Sequence, residues 1–373
     1  MPKLLIKPVG TRAERKQFLE LPWQINGRDP CWIPPLRQNQ AELVGYRHHP
    51  FYEDAEGQTF LALHDGRPVG RVLALINRAH NRVYKENRGF FGFFESIDDA
   101  EVAAGLFEGV RWWLGERGIT QFRGPMNPSM NYECGTLIEG FDTPPFFMMT
   151  HNPPYYQRLI EGSGLAKVDD MFAFWGRIEM LQTLDKKLMF IYEECNRRFD
   201  IKLRRMDRKH FDRDVRIFLS IYNQSLVGTW GFTPLSESEV EHMAGTLKLL
   251  IVPEMTTIAE IDGRPVGAQF GLLDYNTRIK QIDGRLFPLG FIRLLWNKKG
   301  IKRIRLISTN VIPEYQKWGL GIVIAARLIP ESQAWGIEEA EFSWVLESNR
   351  LSFGTLQRGG AKITKRYRLF DST

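Results

Sequence analysis

The chain contains the same six residues twice, Asp-Gly-Arg-Pro-Val-Gly, at residues 65–70 and again at residues 262–267, a separation of 197 residues. An apolar run precedes each copy, at residues 59–63 and 257–261, and another apolar run follows each. Asp-Gly between two strand-like runs predicts a β-hairpin, because glycine adopts positive φ without a steric penalty. A repeat at a separation of slightly more than half the chain indicates two copies of one structural unit.

A second match supports this duplication. Residues 152–164 and 349–360 correspond at the same separation of 197: each begins with Asn, continues as a short helical pattern and ends in glycines that suit a helix cap. A predicted strand follows each, at residues 167–175 and 361–370. The predicted unit is strand, helices, hairpin, strand, helix, strand, helix, strand, and it occurs twice.

The duplication predicts two domains, residues 1–178 and residues 179–373. At roughly 150 residues per domain, a chain of 373 residues also fits two domains. Residues 180–198 carry apolar side chains at helical spacing, which predicts a connecting helix packed on one of the domains.

Composition narrows the class of protein. No apolar run approaches the roughly 20 residues that span a bilayer, and charge interrupts the N-terminus at once, so we expect a cytoplasmic protein. The cysteines Cys31, Cys134 and Cys195 are too few and too scattered for a disulfide framework or a zinc site, and we expect no metal. The net charge of +6 suits a polyanionic cofactor, peripheral contact with the inner membrane face, or solubility alone. No dense basic run with interleaved aromatic residues indicates nucleic-acid binding.

A glycine-containing turn is the strongest chemical signal. Residues 303–311 alternate like a strand, residues 322–335 have helical spacing, and Gly319 and Gly321 lie between them. A turn from strand into helix leaves backbone N–H groups unpaired at the positive end of the helix dipole, which suits a pyrophosphate. Glycine lets the anion approach because a Cβ would block it.

The string Val-Ile-Pro-Glu-Tyr-Gln-Lys-Trp-Gly-Leu-Gly, residues 311–321, resembles motif A of GNAT acyltransferases, V-x-P-x-x-[RQ]-x-x-G-x-[GA]. The resemblance implies an α/β fold of two tandem GNAT-like domains, each with a mixed, mostly antiparallel central sheet flanked by helices. It also implies acetyl-CoA or acyl-CoA as co-substrate. It gives a CoA-binding role to Val311, Gln316, Lys317, Trp318, Gly319, Leu320 and Gly321, and to Asn349 as the counterpart of the residue that contacts the pantetheine arm.

The catalytic residues are less clearly indicated. The family has a Tyr seven residues after its Asn, acting as general acid, but this chain has Leu356 there. Tyr315 lies near the turn and is a candidate acid, although that position is often aromatic without a catalytic role. An amine nucleophile must also lose a proton, for which Glu260 and Glu347 are candidate bases. Both also fit ordinary charges at strand ends.

The first copy has lost the glycine turn. Its equivalent residues 96–101 are acidic and lack glycine, so we expect no CoA there. It has instead an inserted loop at residues 124–152, rich in Pro, Gly, Asn, Met and Phe. Such a loop either lines an apolar cleft or packs against the second domain. Candidate substrate-binding residues in and after it are Asn127, Asn131, Tyr132, Cys134, Tyr155 and Tyr156. His151 is a candidate base or a structural histidine.

The loop carries a further resemblance. The pattern G-P-x-N, then G-x-L-I-E-G-F, P-P, N-P-P-Y-Y and G-L-x-K-x-D resembles a group of bacterial tandem GNAT-like proteins that includes bacterial ceramide synthases. This resemblance implies transfer of an acyl group from acyl-CoA to an amine, with a small-molecule amine or a lipid such as a sphingoid-type long-chain amine as acceptor.

Two alternatives stay open at this point. A non-catalytic acyl-CoA-binding module is compatible with Leu356. An aminoacyl or peptidoglycan-type transferase on paired GNAT-like domains is disfavoured by the intact motif A.

Overall fold

The computed structural model describes residues 4–179 and 186–372. Its strands are β1 (Leu4–Pro8), β2 (Ala55–His64), β3 (Arg67–Asn77), β4 (Arg88–Ser96), β5 (Gln121–Gly124), β6 (Met126–Asn127), β7 (Glu133–Cys134), β8 (Thr136–Glu139), β9 (Leu165–Arg177), β10 (Ile201–Arg204), β11 (Thr256–Ile261), β12 (Arg264–Leu273), β13 (Arg303–Val311), β14 (Glu339–Leu346) and β15 (Lys362–Ser372). Its α-helices are α1 (Arg12–Asn26), α2 (Arg37–Leu43), α3 (Arg78–Tyr84), α4 (Ala100–Gly115), α5 (Tyr156–Gly162), α6 (Lys186–Arg198), α7 (Phe211–Ser225), α8 (Glu237–Leu250), α9 (Asn276–Gln281), α10 (Gly290–Leu295), α11 (Pro313–Gln316), α12 (Leu320–Trp335) and α13 (Arg350–Arg358). Residues 180–185 of the predicted connecting helix lie outside the described residues.

The chain forms two compact units that each take segments from both halves of the sequence. The first unit comprises Met1–Met171, Asn276–Leu294 and Lys365–Thr373, and the second comprises Phe172–Tyr275 and Leu295–Thr364. The predicted boundary at residue 178 concerns the repeated sequence units and stays a prediction.

Both units have the same strand pattern. In the first, β1, β2, β3 and β4 pair antiparallel in that order, and β4 then pairs parallel with β5. In the second, β10, β11, β12 and β13 pair antiparallel, and β13 pairs parallel with β14. A long helix, α4 or α12, makes each parallel crossover, since parallel neighbours cannot be joined by a tight turn. The predicted mixed, mostly antiparallel sheets flanked by helices are confirmed.

The two repeated hairpins match in detail. Asp65 and Gly66 have φ values of 47° and 81°, and Asp262 and Gly263 have 52° and 75°. Positive φ at both central residues is the turn whose twist matches that of the paired strands. Each hairpin also has a register shift just before the turn, between Ala62 and Leu63 and between Ala259 and Glu260. The duplicated sequence therefore specifies the same local irregularity twice.

The crossover helices bury an apolar face against their sheets. Helix α4 buries Val102, Leu106, Phe107, Val110 and Trp113, among others, whereas the adjacent Trp112 is exposed. Helix α12 lies so close to β12 that a Cβ on Gly267 would meet Ile324 Cδ1 at 2.5 Å. This close approach positions the N-terminus of α12 beside the end of β13.

The C-terminal strand completes the first unit. Arg123 donates to both carboxylate oxygens of Asp371 at 2.8 Å. The fully buried Asp170 accepts from Arg366 at 2.7 Å and from Arg368 at 2.9 Å. Burial alone would raise the pKa of Asp170, but hydrogen bonds from Arg368, Lys167 and Arg366 hold that pKa below its usual range.

Candidate functional site

The predicted glycine turn lies at the start of α12, in the second unit. Gly319 adopts a left-handed conformation, with φ 82° and ψ 11°, and is the N-cap of the 16-residue helix. The Ile322 N–H bonds to the Gly319 carbonyl at 2.9 Å. Within residues 186–372, the N–H groups of Gly319, Leu320 and Gly321 donate to no protein acceptor. Unpaired donors at the positive end of a helix form an anion-binding site.

The motif glutamine holds the turn in place. Gln316 Nε2 donates to the carbonyls of Ser225 and Val311, both at 2.9 Å. These bonds join the turn to the end of α7 and to the end of β13. Gln316 thus shapes the turn here, and a direct contact from Gln316 or the exposed Lys317 to a pyrophosphate stays a prediction.

Helix α6 packs over the turn. The Ile191 side chain lies against Gly319, so that a Cβ at position 319 would collide with it. At the end of the same helix, the Arg198 guanidinium lies 3.7 Å from the Trp318 ring centroid. Phe199 contacts Trp318 and Tyr315 edge-on, with centroid separations of 6.1 and 5.3 Å. Glycine is therefore required at position 319 by both its conformation and its neighbour, and one face of the turn is covered.

Next to the turn, the parallel strands β13 and β14 separate. Their pairing runs from Arg303 with Glu339 to Leu306 with Phe342, and the two strands do not pair with each other further along the described second unit. The freed part of β13 has Thr309 beside the start of α12, 3.6 Å from where a Gly321 Cβ would lie. Unpaired N–H and C=O groups on a strand edge can bond an extended ligand.

A buried glutamine faces this region and was not predicted. Gln269 on β12 lies opposite Thr309 in the register and is 0% exposed. Neither atom of its side-chain amide has a hydrogen-bond partner among the described residues. A buried amide without partners costs roughly 1–3 kcal/mol, which marks Gln269 as a group that a ligand can satisfy. In the sequence, the signal for this buried amide is a single glutamine within an otherwise apolar strand.

A second buried polar cluster stands where the strands separate. Arg305 donates to the Ser343 hydroxyl and to the Ser343 carbonyl, both at 2.9 Å. The Ser343 hydroxyl donates to Glu341 at 2.6 Å. All three residues are buried. This cluster fixes β14 relative to β13, and ionisable residues inside otherwise apolar strands were its signal in the sequence.

The three predicted catalytic residues of the second unit have different surroundings in the structure. Glu260 accepts from Arg204 at 2.8 Å, an arginine that also binds Asp214. Glu347 is half-buried one residue beyond β14. Tyr315 packs on Phe199, as described above. Their catalytic roles stay predictions, and for Glu260 the ion pair favours the strand-end interpretation.

The region of the missing family tyrosine is apolar. Asn349 caps α13, accepting a hydrogen bond from the Ser352 N–H at 3.2 Å. Leu356 packs against a cluster formed by Phe172, Phe174, Val345 and Ala361. The position of the family's proton donor is therefore occupied by a side chain that packs on a buried apolar cluster.

In the first unit, His151 forms a dyad with Asp29. His151 Nε2 lies 2.8 Å from Asp29 Oδ2, its side chain is 2% exposed, and Nδ1 has no hydrogen-bond partner among the described residues. Burial lowers the pKa of His151 below its usual value, an effect that Asp29 opposes. The carboxylate favours the tautomer with hydrogen on Nε2, which leaves a lone pair on Nδ1. This is the protonation state that a general base requires.

The remaining loop candidates make structural contacts. Asn127 accepts from the Phe93 N–H at 2.6 Å, and Asn131 donates its N–H to Ser129. Tyr132 contacts two rings edge-on, and buried Cys134 lies against a methionine sulfur. Tyr155 donates to the Ser96 carbonyl, and Tyr156 donates to Glu95. Their substrate-binding roles stay predictions.

The first copy has no equivalent anion site at its crossover helix. Asp99 is the N-cap of α4 and accepts from the N–H groups of Glu101 and Val102 at 2.8 and 3.4 Å. A carboxylate thus already occupies the donors that a phosphate would need.

Two features are absent from residues 4–179 and 186–372. These residues contain no group of three or more His, Cys, Asp and Glu side chains arranged to hold a metal ion. None of their helices has both the length and the apolar character needed to cross a bilayer.

Comparison with known proteins gives full-length matches. No protein-family model matches the chain. Protein YghO of Escherichia coli (strain K12) is 35% identical over 373 residues, covering 98% of this chain and 95% of the relative. Bacterial ceramide synthase of Caulobacter vibrioides (strain NA1000 / CB15N) is 34% identical over 384 residues, covering 99% and 97%. Among solved structures, a tandem GNAT protein from the clavulanic acid biosynthesis pathway aligns with a TM-score of 0.56 at 11% identity, covering 99% of this chain and 98% of that chain. At that identity the structural match shows the shared fold.

Proposed function

Because this chain belongs to the family of tandem GNAT acyltransferases that includes the bacterial ceramide synthase of Caulobacter vibrioides, we propose that it transfers an acyl group from acyl-CoA to a long-chain, sphingoid-type amine. The observation that carries the proposal is the set of unpaired N–H groups at Gly319, Leu320 and Gly321, at the start of a long helix and within an intact motif A. These groups would hold the CoA pyrophosphate.

The separated strands supply the rest of the proposed cofactor site. The free edge of β13 would pair with the amide groups of the pantetheine arm, and Gln269 would gain the partners it lacks. Acyl-CoA, when bound, supplies an activated thioester carbonyl for attack by the amine. Leu356 is half-buried against an apolar core cluster and supplies no proton donor, and an apolar side chain at this position is compatible with a hydrocarbon acyl chain.

His151 is the proposed general base. An attacking amine must lose a proton, and His151 has a lone pair on Nδ1 and a carboxylate that fixes its tautomer. Glu260 is instead held in an ion pair with Arg204 at 2.8 Å, which fits a structural role. A thiolate leaves readily enough that Leu356 in place of the family tyrosine does not prevent transfer.

The proposal is tested by binding and turnover with one matched pair of variants. Calorimetry should show CoA binding to the wild type and none to Gly319→Asp, because the new side chain would collide with Ile191 and distort the turn, and its carboxylate would repel the pyrophosphate. Gly263→Asp is the control, since Gly263 also has positive φ, at 75°, but lies in open space at a hairpin tip. Absence of CoA binding by the wild type would refute the cofactor assignment.

Turnover then identifies the acceptor. Release of free thiol from palmitoyl-CoA should require sphinganine and should not occur with spermidine or a peptide. The alternative of a non-catalytic acyl-CoA-binding module rests on Leu356, and it would be supported by CoA binding without turnover for any amine.

A further inference from the structure

The connection between β12 and β13 is long and basic, and it departs from the repeat. In the second copy 29 residues separate Leu273 from Arg303, whereas in the first copy 10 residues separate Asn77 from Arg88. Residues 276–294 of this connection belong to the first compact unit. We call them the β12–β13 segment. Duplication of the unit does not account for this segment, so its role is specific to the second copy.

The base of the β12–β13 segment is held firmly within the first unit. Asn276 Nδ2 donates to the Pro145 carbonyl at 2.7 Å. Asp283 accepts from Trp23 Nε1 at 2.5 Å and from Arg37 at 2.8 Å. Gly284 approaches the backbone at residue 35 so closely that a Cβ there would collide with it. The segment therefore presents its tip in a defined position.

The tip of the segment exposes large apolar side chains to solvent. Phe287 is 72% exposed, Leu289 68%, Ile292 45% and Phe291 43%. They lie within six consecutive residues, and α10 begins among them. Contiguous exposed apolar residues of this size mark an interaction surface, because water penalises them in proportion to their area.

Charge identifies the partner. The segment contains four basic residues, Arg278, Lys280, Arg285 and Arg293, and a single acidic one, Asp283. Asp283 is paired with Arg37 at 2.8 Å and lies 3.7 Å from Arg285 Nε, so the segment keeps an excess of basic residues. Arg285 and Arg293 flank the apolar tip and are exposed. Phenylalanine and leucine between cationic side chains are the composition of segments that lie in the interface of anionic bilayers.

We propose that the tip, residues 285–293, docks the protein on an anionic phospholipid membrane, with Phe287, Leu289, Phe291 and Ile292 inserted among the acyl chains. Arg285 and Arg293 then contact lipid phosphates at the surface. A second copy of this chain fits less well, because a symmetric contact would bring these arginines against their own counterparts. Membrane docking does not depend on acyl transfer, although it would place the protein where long-chain amines reside.

Co-sedimentation of the full chain with vesicles tests this docking. We expect binding to vesicles of phosphatidylglycerol and phosphatidylcholine, and at least tenfold weaker binding to vesicles of phosphatidylcholine alone. The variant Phe287→Ser/Leu289→Ser should lose at least tenfold in binding to the anionic vesicles. The variant Arg285→Gln/Arg293→Gln should lose most of the preference for anionic lipid.

The matched control is Val227→Ser/Leu351→Ser, since Val227 and Leu351 are equally exposed apolar residues elsewhere, 71% and 70%. It should bind vesicles like the wild type. Circular dichroism must show each variant folded; if Phe287→Ser/Leu289→Ser is not, the arginine variant carries the test alone. Wild type that stays in the supernatant with both vesicles, or tip variants that bind as well as wild type, would overturn the proposal. So would a wild-type dimer that these variants convert to monomer without change in vesicle binding.

Discussion

His151 and Asp29 make a prediction at the scale of single residues. If Nδ1 of His151 is the base, His151→Asn should lower kcat by about 10²–10⁴-fold. Burial lowers the pKa of His151, so the neutral base persists as pH falls, and kcat/KM should decline only below the ordinary histidine value of about 6.5. In Asp29→Asn that decline should move to still lower pH, because Asp29 raises the pKa, while kcat falls as the tautomer is no longer fixed.

The measurement is kcat/KM against pH with palmitoyl-CoA and sphinganine. If kcat/KM of His151→Asn declines at the same acidic pH as kcat/KM of the wild type, another group is titrating and His151 is not the general base.

His80 makes a second residue-scale prediction, on stability. It is buried between Tyr84 and Phe90, and burial lowers its pKa to about 4. Below about pH 6.5, His80 binds a proton in the unfolded chain but stays neutral in the folded chain. The free energy of unfolding therefore decreases as the pH is lowered from about 6.5 to about 4. The loss is on the order of 3 kcal/mol.

Urea midpoints measured at pH 7 and pH 5 check this. His80→Phe, which fits an aromatic site, should flatten the pH dependence, whereas the exposed control His48→Phe should keep it. Equal pH dependence in both variants would show that other groups are responsible.

The sequence predicted some site residues and could not predict others. Gly319 and Gly321 were predictable because a turn into a helix N-terminus is a local requirement on the backbone. Asp29 was not, because it is 122 residues from His151 and only the fold brings the two together. The ion pair of Glu260 was hidden for the same reason, since Arg204 lies 56 residues away on the neighbouring strand.

At the scale of elements, Gln316 tests how the turn is built. Gln316→Ala removes two hydrogen bonds that join the turn to α7 and β13 and should destabilise the protein by about 1–2 kcal/mol. CoA affinity should fall too, because the amides lose their fixed orientation. Thermal unfolding and calorimetry measure both effects. Gln333→Ala, exposed on α12, should change neither; unaltered CoA binding in Gln316→Ala would contradict this account of the turn.

Elements differed in how well the sequence predicted them. Both Asp-Gly hairpins and both crossover helices were predicted correctly, because turn chemistry and helical periodicity are local signals. The packing of α6 on the turn was not predicted, since the apolar spacing of an amphipathic helix does not say which surface it covers. The separation of β13 from β14 was hidden as well, because it depends on pairing between distant strands.

At the scale of the whole molecule, each compact unit takes segments from both halves of the sequence. We therefore predict that the two halves do not fold alone. A fragment of residues 1–178 lacks the strand that pairs with β5 and β8, and it leaves buried Asp170 without Arg366 and Arg368. Losing the partners of a buried charge costs about 3–5 kcal/mol, a large share of the stability of a domain. We expect the fragment to lack dispersed amide resonances in NMR spectra.

Adding a peptide of residues 362–373 should restore part of that dispersion, whereas the same peptide with Arg366→Ala/Arg368→Ala should not. A fragment 1–178 that is well dispersed by itself would show that the C-terminal strand is dispensable.

The contribution of the C-terminal strand to the first unit has a consequence for biosynthesis. A ribosome usually lets an N-terminal domain fold while the next domain is still being translated. Here the first unit needs residues 365–372, so it stays incomplete until these residues have left the exit tunnel, which happens after residues 172–275 and 295–364 of the second unit have been made. A stop codon before residue 365 would therefore damage the unit whose other residues are mostly made first.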